Sequence, residues 1–268
     1  MADAAEKRNR KEKREQFAFV LHELTWREIR RKYASSHLGL LWAILSPFFH
    51  LLIMTLVFSG MFRRNIQNFT LYCLTGNVLW GLFRNITEQG LGSLVDNRYL
   101  LIRAKLPRQI FVWTRVMSAV ITFLFTCAAF ALILVVQAMM GKIELTWKLL
   151  LFPVDVLLLI LFAAGIAHGL SVLYVVFRDI RPMYSVFLTL LMYLCVIFYP
   201  VENLPAFVQT MIGYNPVYVS IFIARDLIQN GVISPWTVWL KMAGYAFVSF
   251  GLGLWVFSRY SEEVLEAL

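Results

Sequence analysis

Long apolar stretches constrain this chain more than any motif does. One runs from Leu40 to Phe58, and others fill most of residues 110–140 and 149–177. A helix needs about 20 mainly apolar residues to cross the hydrocarbon core of a bilayer. Because 60% of the residues are hydrophobic and only 15% are charged, the composition is that of a polytopic membrane protein and not of a soluble domain. We therefore expect an all-α integral membrane protein.

The apolar blocks predict six membrane-spanning helices within residues 36–258. Their predicted limits are 38–62, 69–94, 110–140, 149–177, 183–199 and 235–257. Pro47 lies inside the first span and predicts a kink there. Prolines and glycines divide residues 201–232 into pieces too short to cross a bilayer, which is typical of re-entrant helices. These breaks are Pro205, Gly213, Pro216 and Gly231.

The positions of the cations predict the orientation. With a cytoplasmic N-terminus, the inner side holds the lysines and arginines before Tyr33 and seven of the later ones. Those later ones are Arg98, Arg103, Lys105, Arg108, Arg178, Arg181 and Arg259. The outer side holds Arg63, Arg64, Lys142, Lys148, Arg225 and Lys241. The positive-inside rule thus places both termini in the cytoplasm. The net charge of +9 sets topology and does not indicate a nucleic-acid partner.

The N-terminal region predicts two parts. Residues 1–16 are charged and lack an apolar core, so we expect a cytoplasmic tail and not a cleaved signal peptide; residues 259–268 form a second tail. Residues 17–35 predict an amphipathic helix on the membrane surface. Phe17, Val20, Leu21 and Leu24 share one face, and Trp26, Ile29 and Tyr33 share another. These faces indicate either two short helices broken near Thr25 or one helix with contacts on both sides. We favour the break, because Thr25 with Glu28 can form a capping box.

The sequence lacks the motifs of several enzyme classes. It contains no G-x-x-x-x-G-K-S/T, H-E-x-x-H or G-x-S-x-G motif. His22, His37, His50 and His168 are scattered, although His50 and His168 could share an interior. We expect them to make helix contacts. Cys73, Cys127 and Cys195 lie in apolar blocks without paired spacing, which is typical of packing residues. The chain is therefore expected to be no enzyme and to bind no metal or cofactor itself.

Charged residues inside predicted spans leave two alternatives open. Arg84 and Glu88 are four residues apart in the second span. They can form an intrahelical ion pair near a membrane boundary, or a polar spot on a conduit or subunit interface. Asp155 lies one turn inside the fourth span, where we expect it to snorkel or pair near the outer interface.

The cytoplasmic segment 96–108 mixes apolar residues with cations. One interpretation is a loop that contacts lipid head groups. The other is a short helix, docked into a partner protein, that lies across the base of the membrane domain. Composition alone does not separate the two.

Several segments resemble, in order and spacing, the ABC-2-type permeases that export O-antigen, teichoic acid and capsule. The first are Trp26-x-x-Ile29-x-x-x-Tyr33 and Leu38-Gly39-Leu40-Leu41-Trp42-Ala43-Ile44-Leu45-x-Pro47. Next are Leu74-x-Gly76, Trp80, Asn97-x-x-Leu100-Leu101-Ile102-x-x-Lys105-Leu106-Pro107-Arg108 and Phe177-Arg178-Asp179-Ile180. The last are Tyr199-Pro200-Val201-x-x-Leu204-Pro205 and Asn215-Pro216. Arg84 and Glu88 depart from this pattern, since many relatives are expected to carry uncharged residues there.

The resemblance implies an exporter of lipid-linked polysaccharide in the bacterial cell membrane. Two copies of this chain would join two copies of an ABC ATP-binding subunit, which would hold ATP and Mg. The interface helix would contact membrane lipids through Trp26, Ile29, Arg30 and Tyr33. The coupling helix to the ATPase would use Asn97, Tyr99, Leu100, Leu101, Arg103, Lys105, Pro107 and Arg108. The outer re-entrant helices would lie within residues 201–232.

The resemblance also implies a glycan conduit along the first and fifth spans. Aromatic rings suit such a path because sugars can stack on them. The candidate lining residues are Trp42, Phe49, Tyr193, Phe198 and Tyr199.

Other functions remain as alternatives. A small-molecule or lipid exporter of the same family often has a large outer domain after its first span, whereas here that connection is only residues 63–68. A membrane glycan or lipid transferase would need a cluster of carboxylates or histidines. A secondary transporter would be expected to show internal repeats. The sequence does not distinguish teichoic acid, O-antigen and capsule.

Overall fold

The computed structural model describes residues 2–33, 41–61, 68–103, 106–144, 146–201 and 204–260. All regular structure in these ranges is helical, which confirms the predicted all-α class. The helices are α1 (Ala2–Tyr33), α2 (Leu41–Met61), α3 (Phe69–Leu91), α4 (Arg98–Arg103), α5 (Gln109–Met139), α6 (Phe152–Val176), α7 (Ile180–Leu194), α8 (Ala206–Gly213), α9 (Pro216–Arg225) and α10 (Trp236–Tyr260). A 3₁₀ turn, Trp147–Leu151, precedes α6, and a π turn, Asp226–Asn230, follows α9.

Three helical segments in the described ranges are long and apolar enough to cross a membrane. They are α5, α6 with its 3₁₀ turn, and α10. A fourth crossing results only if α8 and α9 with its π turn count as one broken span, because they meet at 90°. The apolar stretches within α2 and α7 are shorter. The structure therefore supports three or four crossings by length and composition, and six spans stay a prediction.

α6 lies at the centre of the bundle and packs against α3, α5, α9 and α10. Glycines allow the closest approach, since a side chain on Gly253 of α10 would overlap the carbonyl of Gly165 in α6. The Ser249 hydroxyl of α10 also donates to the Phe162 carbonyl of α6 at 2.9 Å. Small residues and interhelical hydrogen bonds are the main means of helix association in membranes. They hold this helix pair together.

α1 is one continuous helix, so the predicted break near Thr25 is wrong. Thr25 and Ile29 are buried, while Phe17, Leu21 and Leu24 pack partly against the core. Residues three and four apart share one side of a helix, and these five form a single stripe along α1. The stripe packs on α5. Because Ile29 continues the first face, while Trp26 points away with 38% exposure, no break is needed. The helix also includes residues 2–16, which were expected to be a tail.

Some predictions concern residues outside the described ranges. They include the start of the first span and His37 (residues 34–40), the connection 62–67, Lys105, part of the re-entrant region (residues 202–203) and most of the C-terminal tail (residues 261–268).

Candidate functional site

A cavity of about 820 Å³ opens between α2, α3 and α5. Lys32 of α1 and Met192 of α7 lie at its edges. Its lining is mixed: the polar side chains include Ser46, His50, Asn77, Arg84, Asn85, Glu88, Thr122 and Thr126, and the aromatic ones are Trp42, Trp80 and Phe123. A polar, aromatic-lined space among apolar helices suits a ligand that carries hydroxyl groups.

Arg84 and Glu88 face this cavity. The Nε atom of Arg84 lies 3.0 Å from Oε2 of Glu88, and the two side chains are 53% and 47% exposed. Arg84 and Glu88 thus form the intrahelical ion pair that was one of the two alternatives. They also line a polar cavity, which agrees with the other alternative, a polar spot on a conduit. An exposed i,i+4 ion pair contributes only about 0.3–0.5 kcal/mol to stability. Fold stability therefore gives little reason for the two charges.

His50 and His168 occupy separate sites. On the cavity wall, Nδ2 of Asn77 lies 2.9 Å from Nε2 of His50 and joins α3 to α2. His168 is fully buried; its Nδ1 lies 2.7 Å from the Ala164 carbonyl, and its ring sits between Trp113 and Phe257. The two histidines do not share an interior. Within the described ranges, no group of three or more metal-ligand residues converges.

Of the five aromatic residues predicted to line a conduit, Trp42 lines this cavity and the other four do not. Phe49 is exposed and makes an edge contact with Phe48, and Tyr193 is exposed on α7. Phe198 and Tyr199 lie beyond the end of α7, away from the cavity lining. Of the α3 side chains in the cavity lining, Arg84 and Glu88 were singled out in the sequence, whereas Asn77 and Asn85 were not. A usable signal existed, because Asn77, Arg84 and Glu88 are spaced seven and four apart, on one helix side.

The outer end of the bundle, in the orientation predicted from the cations, is organised around Arg225 of α9. This arginine is 6% exposed, and its Nη2 donates to the carbonyls of Val196 at 2.9 Å and Tyr72 at 3.3 Å. Its guanidinium also lies 3.3 Å from the Tyr72 ring centroid. The Tyr72 hydroxyl in turn donates to the Tyr199 carbonyl at 3.0 Å. Tyr199 therefore belongs to a backbone network that joins α3, α9 and the segment after α7.

Other charged residues in this region also have internal partners. Asp155 is fully buried and accepts a hydrogen bond from Ser220 of α9 at 3.0 Å. Of the two expectations for Asp155, snorkelling is excluded by its burial, and pairing is found, with the Ser220 hydroxyl as the partner. Lys148 donates to the Gly231 carbonyl at 2.7 Å, and Lys241 to the Gly213 carbonyl at 2.6 Å. Both cations thus stabilise helix C-terminal ends, where the helix dipole is negative.

The α4 segment, residues 92–103, forms a folded turn followed by α4. The Asn97 amide donates to the Ser93 carbonyl at 2.9 Å and holds the turn. Leu101 is buried and Leu100 half-buried, so both face the protein. The outer side is formed by Arg98, Tyr99, Ile102 and Arg103, with Tyr99 62% and Ile102 61% exposed. Among the other predicted coupling residues, Pro107 is exposed and Arg108 half-buried just before α5.

α1 presents a different surface on each side. On its exposed side, the Arg30 guanidinium lies 5.1 Å from the Trp26 ring centroid. On its buried side, Glu28 pairs with Arg115 of α5, which also pairs with Asp96 of the α4 segment. Burial raises the pKa of Glu28, although the charge of Arg115 acts in the opposite direction. Arg115 has no assigned role among the residues that the sequence pattern singled out.

Comparison with known proteins identifies relatives over most of the chain. The sequence model of the family described as ABC-2 type transporter matches residues 20–229. The chain is 30% identical over 204 residues to the O-antigen export system permease protein RfbA of Myxococcus xanthus, covering 75% of this chain and 77% of that protein. It is 27% identical to a Klebsiella pneumoniae RfbA (90% and 92% coverage) and 25% identical to the polysialic acid transport protein KpsM of Escherichia coli (92% and 95%).

Proposed function

Because the chain belongs to the ABC-2 type transporter family, we propose that it is the membrane permease subunit of an ATP-driven polysaccharide exporter. One observation carries this proposal: the family match spans residues 20–229, and relatives over comparable lengths are an O-antigen export system permease protein and a polysialic acid transport protein. These named relatives favour O-antigen or capsule over teichoic acid as substrate. They also favour polysaccharide over a small molecule or lipid. The polysaccharide would pass from the cytoplasmic to the outer side, attached to its lipid carrier.

The proposed architecture has six spans, formed by α2, α3, α5, α6, α7 and α10. α8 and α9 would enter from the outer side and return, which is supported by their 90° bend. The arrangement of cations supports cytoplasmic termini. Two copies of this chain would assemble with two ABC ATP-binding subunits, which would hold ATP and Mg. Family membership supports this partnership. The sequence itself lacks the phosphate-binding motif G-x-x-x-x-G-K-S/T, so nucleotide binding is assigned to the partner.

α4 is the proposed coupling helix to the ATP-binding subunit. Its inner side is fixed by buried Leu101, and its outer side exposes Tyr99 and Ile102 with Arg98 and Arg103 beside them. Exposed aromatic and aliphatic side chains ringed by cations are typical of a docking surface. Movement of the ATP-binding subunits would reach the membrane helices through this contact.

The proposal predicts that Ile102→Asp prevents the ATP-binding subunit from co-purifying with this chain. A carboxylate placed in an apolar contact loses its hydration without gaining a partner, which costs several kcal/mol. We expect affinity to fall at least about tenfold, which corresponds to about 1.4 kcal/mol. The measurement is the amount of cognate ATP-binding subunit retained by the tagged permease after co-expression.

The matched control is Trp147→Asp, which changes an equally exposed apolar residue (69% exposed) in the 3₁₀ turn before α6. It should retain the ATP-binding subunit as the unaltered chain does. Normal retention by Ile102→Asp would contradict the assignment of α4. Failure of the unaltered chain to retain any ATP-binding subunit would contradict the exporter function itself.

The cavity beside α2 is the proposed part of the glycan path within this subunit. Trp42 is 40% exposed and is the most accessible aromatic ring of the cavity on which a sugar could stack. Trp42→Ala is therefore expected to reduce export about tenfold, the equivalent of about 1.4 kcal/mol. Surface polysaccharide, quantified with a glycan-specific antibody at matched permease levels, gives the readout. Trp255→Ala, an exposed tryptophan on α10 outside the cavity, is the control. Equal export by both variants would remove the cavity from the path.

A further inference from the structure

Arg115, in the first turns of α5, joins two carboxylates that come from separate elements. Its Nη2 lies 3.1 Å from Oδ2 of Asp96, and its Nη1 pairs with Oε1 of Glu28. Arg115 and Glu28 are largely buried, with side chains 19% and 23% exposed, and Asp96 is 39% exposed. A planar guanidinium can hold two carboxylates at once in fixed directions, which a lysine ammonium cannot do.

The two carboxylates belong to parts of the chain with different proposed tasks. Asp96 lies in the turn that leads directly into α4, and this turn is itself ordered because the Asp96 amide donates to the Gly92 carbonyl at 2.9 Å. Glu28 is half-buried on the side of α1 that faces α5, one turn before Lys32. Lys32 lines the edge of the cavity. Arg115 thus stands between the docking surface and the rim of the cavity.

Separation of these elements would be costly. Removal of the guanidinium would leave the largely buried Glu28 carboxylate without its ion-pair partner, which is costly, whereas the contact to the more exposed Asp96 costs less to break. α1 and the α4 segment are therefore expected to move together while the contact lasts.

We propose that Arg115 is the positioning residue through which displacement of α4 moves α1 and changes the rim of the cavity at Lys32. This inference rests on the proposed function, because the displacement comes from the ATP-binding subunit. Without Arg115, α4 would still bind that subunit, but its movement would not reach α1.

The test is a distance measurement on the permease–ATPase complex in lipid nanodiscs. Spin labels are placed at His22→Cys on α1 and Met139→Cys at the far end of α5, which are both exposed, with Cys127 replaced by alanine. Addition of a non-hydrolysable ATP analogue is expected to shift the distance distribution. Arg115→Gln should abolish the shift while the ATP-binding subunit still co-purifies.

Two further variants sharpen the result. Glu28→Gln cuts only the contact to α1, so it too should abolish the shift, and it decides the question if Arg115→Gln fails to fold. Glu23→Gln makes the same chemical change on the exposed side of α1 and should leave the shift intact.

The outcomes separate the two proposals. A complex whose unaltered form shows no shift, or whose Arg115→Gln and Glu28→Gln forms shift normally, would overturn the role of Arg115 and leave the exporter function standing. If the unaltered chain binds no ATP-binding subunit, the exporter function fails and this inference fails with it.

Discussion

A chain with Gly253→Val is expected to lose the packing of α6 against α10. A side chain at this position would meet the backbone of Gly165, including its carbonyl oxygen. Because the obstacle is backbone, no rotamer change can remove the overlap, and the two helices must separate. Overpacking usually costs about 1–3 kcal/mol, and a branched side chain against backbone belongs at the upper end. The separation would also break the hydrogen bond between Ser249 and Phe162.

Thermal unfolding of the purified permease in detergent measures this effect. A loss of about 3 kcal/mol corresponds to a decrease in melting temperature of roughly 5 °C for a chain of this size, and we expect less monodisperse protein on size exclusion. Gly251→Val is the control, since a Cβ atom added there would meet nothing within 4 Å. If both variants melt within about 2 °C of the unaltered chain, close glycine packing does not stabilise this helix pair.

Replacement of Arg225 by methionine is expected to loosen the segment after α7. The Val196 carbonyl would lose its closer donor, 2.9 Å away, and keep the Tyr72 hydroxyl at 3.3 Å. A hydrogen bond to a charged group contributes about 1.5–3 kcal/mol. Val196 also has a φ of 52°, which is unfavourable for a β-branched residue, so this turn depends on its surrounding contacts. Arg225→Met also removes a buried charge, which partly offsets the loss in the free energy of unfolding of the whole protein. It does not replace the donor that the Val196 carbonyl has lost.

Cys195 provides a local readout of this change. It is fully buried beside the Asn215 side chain, with Sγ 3.4 Å from Nδ2. With Cys73 and Cys127 replaced by alanine, reaction with a membrane-permeant maleimide should proceed about tenfold to a hundredfold faster in Arg225→Met, as expected if labelling requires local opening. Arg259→Met removes an exposed arginine at the end of α10 and should leave the rate unchanged. An unchanged rate in Arg225→Met would show that Arg225 does not hold the turn.

The sequence by itself determined the helical class and most helix limits. The third and sixth spans were expected at 110–140 and 235–257, and the structure has helices at Gln109–Met139 and Trp236–Tyr260. These limits could be predicted because hydrophobic length and helix-ending residues are local properties of the chain. The order of short motifs identified the family in the same way, and the family model confirms it over residues 20–229.

The tertiary structure alone decided which polar residues from distant parts of the chain meet. Arg225 lies 153 positions from Tyr72, whose carbonyl it binds, and the residues that join at Arg115 come from three separate elements. Such contacts depend on how the helices pack, which hydrophobic periodicity does not specify. The continuous stripe on α1 has the same origin, since Ile29 is assigned to it only by its contact with the core. Local hydrophobicity therefore determined the helices, and packing between distant segments determined the cavity, the buried arginine and the joint between α1 and α4.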